Sequence, residues 1–339
     1  GRPKGEKNME FTLKPAADRL AELVDANVTL APDVIGDEVQ SLVEALKPGE
    51  ILVLENVRFY KEEEGKGCTE AEQEIFAEML ASYGDVYVSD AFGTAHRGHA
   101  SMAVITKYLD LCAAGFLLEK EIAYLGKVLE APEHPFVAII GGAKISGKID
   151  VIVNLMDKCQ TILIGGGMAY TFYAAQGLQI GDSLLEADKV GLAREILQQA
   201  KEKGVELLLP VDHVVADAFS VDAQTKEVEG EIEAGWMALD IGPKTAALYS
   251  AAVATAKTVV WNGPMGCFEM SPFANGTNSV CAAVAASDSV SIIGGGDSVA
   301  AVKAAGVADQ MSHVSTGGGA SLEFMEGKQL PGIAALTDA

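Results

Sequence analysis

Arginine is scarce in this chain: five occur in 339 residues, none after Arg194, against 48 acidic side chains. The resulting net charge of -23 repels polyphosphate backbones and anionic membrane surfaces, so no nucleic-acid partner is expected. Cysteine is also little used. Cys68, Cys112, Cys159, Cys267 and Cys281 contain no C-x-x-C pair and leave an odd count, which argues against a disulfide framework or zinc knuckle and for a reducing, cytoplasmic setting. No apolar run approaches the ~18 residues of a membrane span. The opening Gly1-Arg2-Pro3-Lys4-Gly5 has no hydrophobic signal region and no initiator Met, which suggests processing or truncation.

Glycine, by contrast, is plentiful, with 36 residues, and 49% of the chain is hydrophobic. That composition describes a globular protein with many tight turns, long enough for two domains that each bury a core. From Ile51 onward short apolar runs alternate with helical stretches: 51–54, 85–89, 136–140, 161–164, 205–209, 258–261 and 290–293. Near-continuous apolar strands separated by helices predict parallel sheets covered on both faces. Thr69-Glu70-Ala71-Glu72 carries the signature of a reciprocal helix cap and predicts a helix to about Tyr83. A long helix over 117–130 runs into Pro132 and Pro135 and reads as a connector. Before Ile51 only a helix over 18–26 and a strand over 28–30 are foreseen, so the first domain looks short of strands.

Five glycine clusters follow strands in the second half: Gly141-Gly142, Gly165-Gly166-Gly167, Gly263-Pro264-Met265-Gly266, Gly294-Gly295-Gly296 and Gly317-Gly318-Gly319. At the carboxyl ends of parallel strands such turns let a phosphate reach the backbone amides of the next helix. Tight helix–sheet packing is the alternative use of each. No cluster matches the dinucleotide pattern G-x-G-x-x-G with its acidic partner, which disfavours NAD. Gly142 to Lys148 satisfies a P-loop except for its hydroxyl, because Ile149 stands where Ser or Thr binds Mg; a P-loop ATPase is thereby a weak alternative.

Arg2, Arg58 and Arg97 lie in Gly-Arg-Pro, in Glu55-Asn56-Val57-Arg58-Phe59 and in the run from Asp90 to Arg97, the last two just past strands. Guanidinium groups there suit bidentate anion recognition; ion pairs to Glu55 and Asp90 are the structural alternative. With these two segments, Gly141-Gly142-Ala143-Lys144, Trp261-Asn262-Gly263-Pro264, 294–297 and 315–320 occur in one order, and over essentially its whole length the chain resembles phosphoglycerate kinases.

The resemblance implies two Rossmann-like three-layer α/β domains with parallel sheets, joined by a hinge helix and closing on their ligands. Residues 1–116 would form a phosphoglycerate-binding domain, 117–135 the hinge helix and linker, and 136–327 a nucleotide-binding domain, with 328–339 returning to the first. The reaction implied is reversible phosphoryl transfer between 1,3-bisphosphoglycerate and Mg-ADP, giving 3-phosphoglycerate and ATP, in a cytoplasmic monomer. Arg2, Arg58 and Arg97 would bind the phosphoglycerate. Lys144, Lys148, Gly296 and Gly319 would serve the transferred group. Gly142, Ala143, Lys148, Gly166, Gly167, Gly242, Asn262, Pro264, Glu269, Gly295, Gly296, Asp297 and Ser298 would surround the nucleotide, with Asp297 on Mg2+. The family pattern also has an opening Asp-x-Asn strand, a helix with a further Arg, and a strand ending Ser-His-Leu-Gly-Arg-Pro. This chain starts at the Gly-Arg-Pro, so the resemblance implies an incomplete first domain and leaves a catalytically impaired Mg-nucleotide-binding fragment as the alternative.

Overall fold

The computed structural model describes residues 1–337, which fall into two compact units: Gly1–Glu119 with the chain from Gln329, and Lys120–Lys328.

The first unit is built from short elements. They are α1 (Lys14–Leu23), β1 (Val28–Leu30), α2 (Asp37–Ala45), β2 (Ile51–Val53), α3 (Lys61–Glu64), α4 (Glu70–Ala81), β3 (Tyr87–Ser89) and β4 (Cys112–Ala114), followed by the long α5 (Phe116–Glu130). The strands form two separate parallel pairs, β1 with β2 and β3 with β4. At the start of α4 the Thr69 hydroxyl accepts from Glu72 N while the Glu72 carboxylate accepts from Thr69 N, so two otherwise orphaned donors are satisfied. Phe76, Ala77 and Leu80 on the inner face of α4 then pack against Val34, Ala100 and Ile105. α1 begins four residues earlier than the apolar pattern suggests, because Pro15 fits a first turn whose N–H has no partner anyway. The division between the units falls inside α5, a little after its start.

The second unit carries a six-stranded parallel sheet in the order β13-β12-β11-β5-β6-β7. Its strands are β5 (Phe136–Ile140), β6 (Thr161–Ile164), β7 (Glu206–Leu208), β11 (Thr258–Asn262), β12 (Val290–Gly294) and β13 (His313–Val314). Every residue of β5 and β11 is buried, as expected of central strands covered on both faces. The helices are α6 (Ile149–Met156), α7 (Ala169–Ala175), α8 (Val190–Lys203), α9 (Pro243–Ala254), α10 (Asn275–Ala286), α11 (Gly296–Ala304) and α12 (Gly318–Met325). A second sheet, absent from the sequence-based expectation, is antiparallel: β10-β8-β9, from β8 (Asp212–Ala216), β9 (Thr225–Glu229) and β10 (Met237–Ile241). β9 reads Thr-Lys-Glu-Val-Glu and is half exposed, so it carries no apolar run to announce it.

Beyond Lys328 the chain forms α13 (Pro331–Ala334) in the first unit, where Gly332 N donates to Ala95 O at 2.8 Å and Thr337 N to Cys112 O at 2.9 Å. Gly332 lies so close that a β-carbon there would come within 3.0 Å of Ala95 Cα.

Candidate active site

In the parallel sheet the chain moves outward from β5 in one direction and from β11 in the other, so the order reverses between these two neighbours. Ligands bind at such switch points, beyond the carboxyl ends of the strands. The register pairs Asn262 with both Ile140 and Gly294, and Ile140 with Ile164, so four glycine turns leave the sheet at one level. They interlock there. Gly142 N donates to Pro264 O (3.0 Å), Gly166 N to Met265 O (2.9 Å) and Met168 N to Gly142 O (3.1 Å). A β-carbon on Gly141 or Gly263 would lie 2.1 Å from a carbonyl of the opposing turn, and one on Gly166 would lie 2.5 Å from Gly142 O. These glycines therefore serve packing between turns. Gly142 and Gly296 have nothing within 4 Å of an added β-carbon; they face open space.

Beside the turns is a cavity of ≈ 490 Å³. Gly142, Ala143, Gly166, Gly167 and Pro264 supply backbone walls, while Tyr170, Leu184, Phe219 and Met237 supply apolar ones. Glu269 and Asp297 also line it. A space of this size, mostly apolar with a few polar groups, has the character of a small-molecule site. Gly242 is placed elsewhere: it caps α9, and a β-carbon on it would collide with the Asp212 carboxylate at 2.3 Å. That carboxylate accepts from Lys244 N (2.8 Å) and Thr245 N (2.7 Å).

Two helices point their N-termini at the same end of the site. α11 starts after Gly295, whose φ of 88° only glycine adopts readily, and a β-carbon on Gly318, the first residue of α12, would sit 3.5 Å from Gly296 N. Free N–H groups at adjoining helix starts favour an anion. Gly319 follows in that first turn of α12, and Asp297 is exposed in the first turn of α11. Lys148, the residue before α6, donates to Asn262 Oδ1. Burial pushes its ammonium below the ordinary lysine value, against the attraction of Asp297 and Glu326. The Asn262 amide nitrogen is buried and has no hydrogen-bond partner. Ser298 is fully buried and its hydroxyl accepts from Gly263 N at 2.6 Å, so it holds the Gly263 turn. Lys144 is exposed.

Behind the α12 turn, buried Glu121 of α5 accepts from His313 Nε2 (2.7 Å), Thr316 N (2.6 Å) and Thr316 Oγ1 (2.7 Å). Tyr124 stacks on His313 with centroids 4.8 Å apart. Burial opposes the Glu121 charge, but these donors hold its carboxyl below the usual range.

In the first unit Gly5 N donates to Arg58 O at 3.1 Å, which brings the Arg2 segment beside Arg58. Neither foreseen ion pair forms. Glu55 accepts from Leu13 N (3.0 Å), Asn56 N (3.1 Å) and the Thr12 hydroxyl (2.5 Å), and Asp90 caps α5 by accepting from Leu118 N at 2.9 Å. Arg58 Nε lies instead 3.6 Å from Glu64 Oε1. Burial opposes ionisation of Glu64, but Lys66, Arg58 and His99 hold it below the ordinary value. Next to it, buried Glu63 accepts from Ser101 N (3.0 Å) and Ser101 Oγ (2.7 Å) and lies 3.4 Å from His99 Nδ1. Arg97 Nε is buried with no hydrogen-bond partner.

A family model for phosphoglycerate kinase matches residues 1–328. The phosphoglycerate kinase of Acidobacterium capsulatum is 57% identical across the whole chain, which spans 84% of that relative; that of Clostridium botulinum strain Langeland is 55% identical with the same coverage. Among solved structures, phosphoglycerate kinase from Coxiella burnetii superposes with a TM-score of 0.87 at 41% identity, covering 99% of this chain and 83% of that one. The Pyrococcus horikoshii enzyme gives 0.85 at 33%. The chain belongs to the phosphoglycerate kinase family. As a phosphoglycerate kinase it takes a nucleotide as substrate and shares the family's two-domain Rossmann-like fold. Among the described residues no helix is long and apolar enough to cross a membrane.

Sequence reasoning about this family member missed the apolar walls of the cavity. Leu184 and Phe219 lie outside every strand and helix, so no periodicity marks them. Glu63, Glu64 and His99 belong to no motif either; the run Glu62-Glu63-Glu64 shortly after Arg58 is the local signal of acidic partners there.

Proposed function

We propose that the cavity of the second unit holds Mg-ADP or Mg-ATP, that Arg2, Arg58 and Arg97 of the first bind 3-phosphoglycerate or 1,3-bisphosphoglycerate, and that the chain transfers a phosphoryl group between them. The observation that carries this reading is the meeting of the α11 and α12 N-termini beside Lys148 at one end of the apolar cavity. The base and ribose would occupy the apolar part, with Glu269 for the ribose. The phosphates would then lie against Gly295, the amides of Gly296 and Gly319, the unpartnered amide of Asn262, and Lys148, with Lys144 approaching from solvent. Phosphoryl transfer asks for alignment and charge compensation more than for a covalent nucleophile, and these groups supply both.

Magnesium fits the same place. Among the described residues no group of three or more His, Cys, Asp or Glu could hold a metal by itself. Mg2+ is commonly held by one or two carboxylates, substrate phosphates and water, and exposed Asp297 is the carboxylate at that helix start. The ion would neutralise charge on the phosphates when bound. Ser298 acts indirectly, through the Gly263 turn. We expect a monomer in the cytoplasm.

Asp297→Ala should weaken Mg-ADP binding by about tenfold or more, in line with the 1.5–3 kcal/mol typical of a charged contact, without altering the circular dichroism spectrum. Titration calorimetry decides it, and unchanged affinity would refute the metal assignment. A coupled assay with ATP and 3-phosphoglycerate tests turnover; binding without turnover would identify a nucleotide-binding protein with impaired chemistry.

A further inference from the structure

One carboxylate has no part in the scheme above. Asp240, in β10, is 2% exposed, yet it lies on the wall of the cavity. Its Oδ2 accepts from Gly276 N at 2.7 Å, in the first turn of α10, and its Oδ1 from Ile241 N at 2.9 Å. The pairing register of β10 on β8 shifts between Ala238 and Asp240, an irregularity of the kind that re-aims a side chain. Leu239, the residue in the shift, accepts from Cys267 N at 2.8 Å. Two glycines make room for the carboxylate: a β-carbon on Gly266 would fall 2.2 Å from Asp240 Oδ1, and one on Gly276 would fall 2.4 Å from it. Neither glycine has a positive φ, so it is space that excludes a side chain there. Strand, cavity wall and helix are thus fitted around one buried acid.

We propose that Asp240 is a positioning residue of the nucleotide cavity, pinning the first turn of α10 to β10 behind the Gly266–Glu269 wall, and that filling the cavity with nucleotide is coupled to proton uptake at its carboxylate. The proposal rests on the nucleotide reading of the cavity. Tyr170 from α7 and Cys267 from the wall sense Asp240 electrostatically, and Cys267 also senses Glu269. On neighbouring β8, Asp212 is committed to the start of α9. Among the described residues the cavity is lined by four carboxylates, Asp182, Asp240, Glu269 and Asp297, and by no Lys or Arg. Burial, opposed only by the two backbone donors, pushes the Asp240 carboxyl up to about 7. An anionic ligand that also excludes water from this wall favours the neutral acid further, so binding draws in a proton near neutral pH and weakens as pH rises.

The test is titration calorimetry of Mg-ADP from pH 6 to 8.5, each point run in two buffers of unlike ionisation enthalpy, on the unmodified protein and on Asp240→Asn. The amide keeps the size, removes the titration, and sets an N–H against one of the two backbone donors. We expect the unmodified protein to take up a fraction of a proton more than the variant near pH 7. Its Kd should rise about 3- to 10-fold across the range while that of the variant stays flat. A change in packing alone would lower affinity at every pH and leave the proton count equal in both proteins; equal counts with parallel profiles overturn the proposal. If the variant does not fold, the count for the unmodified protein, corrected for ionisation of free Mg-ADP, decides alone, and zero overturns it. Absence of any binding heat is a different outcome, which defeats the nucleotide reading and the proposal with it.

Discussion

At the scale of single residues, the buried polar groups of the second unit show how far tertiary burial departs from ordinary side-chain chemistry. His213 of β8 is fully buried, with its ring nitrogens each 3.1 Å from a hydroxyl, Nδ1 from Tyr170 and Nε2 from Tyr173. Burial pushes its pKa down to about 4 from 6.5, against the Gly230 carbonyl and the charge of Asp212. The folded protein therefore takes up this proton only near pH 4, whereas the unfolded chain takes it up near 6.5. Stability falls as pH drops through that window, by at most about 3 kcal/mol from this residue. His213→Gln should reduce the slope of unfolding free energy against pH between 6.5 and 4 by about one proton, as read from urea titrations at several pH values; an unchanged slope would mean that the imidazole is accessible to protons in the native state.

At the scale of elements, helix starts do much of the work in both units. The α4 cap is purely local: Thr69 and Glu72 satisfy one another within four residues. Thr69→Ala should cost about 1 kcal/mol, lower the midpoint of thermal unfolding of the first unit, and leave Mg-ADP affinity untouched; affinity that changed in parallel would show a coupling the cap does not suggest. The start of the helical turns at 100–108 depends instead on Glu63, 38 residues earlier in the chain. Local caps of the first kind were legible in the sequence, because donor and acceptor are a few residues apart. Remote caps such as Glu63 on Ser101, Asp90 on Leu118 and Asp240 on Gly276 were not, since only the folded chain brings those partners together.

At the scale of the whole molecule, the two units have separate cores and, on the proposed reading, separate ligands. Anything that binds only the native second unit stabilises that unit by mass action, by about 2.7 kcal/mol at 100 times Kd. Saturating Mg-ADP should therefore raise the thermal transition of the second unit, followed by the fluorescence of Trp236 and Trp261, more than that of the first, which calorimetry resolves as a separate heat absorption. An equal rise in both, or a single merged transition, would show that the two unfold as one. The scarcity of arginine belongs to this scale as well: on the proposed reading Arg2, Arg58 and Arg97 hold the substrate by charge against an acidic background, and 3-phosphoglycerate affinity should fall with added salt.

The sequence by itself determined the α/β class, the buried parallel strands, the glycine turns at their carboxyl ends and the family, because each of these is written in contiguous residues: apolar runs of four or five, a turn, a motif. Only the tertiary structure decided which glycines face open space and which pack turn against turn. It also drew Glu55 away from Arg58 to Thr12 and Leu13, committed Ser298 to the Gly263 turn, and raised the antiparallel sheet that carries Asp240. Those outcomes depend on distances between segments far apart in the chain and on the water they exclude, and neither distance nor exclusion exists until the segments have folded together.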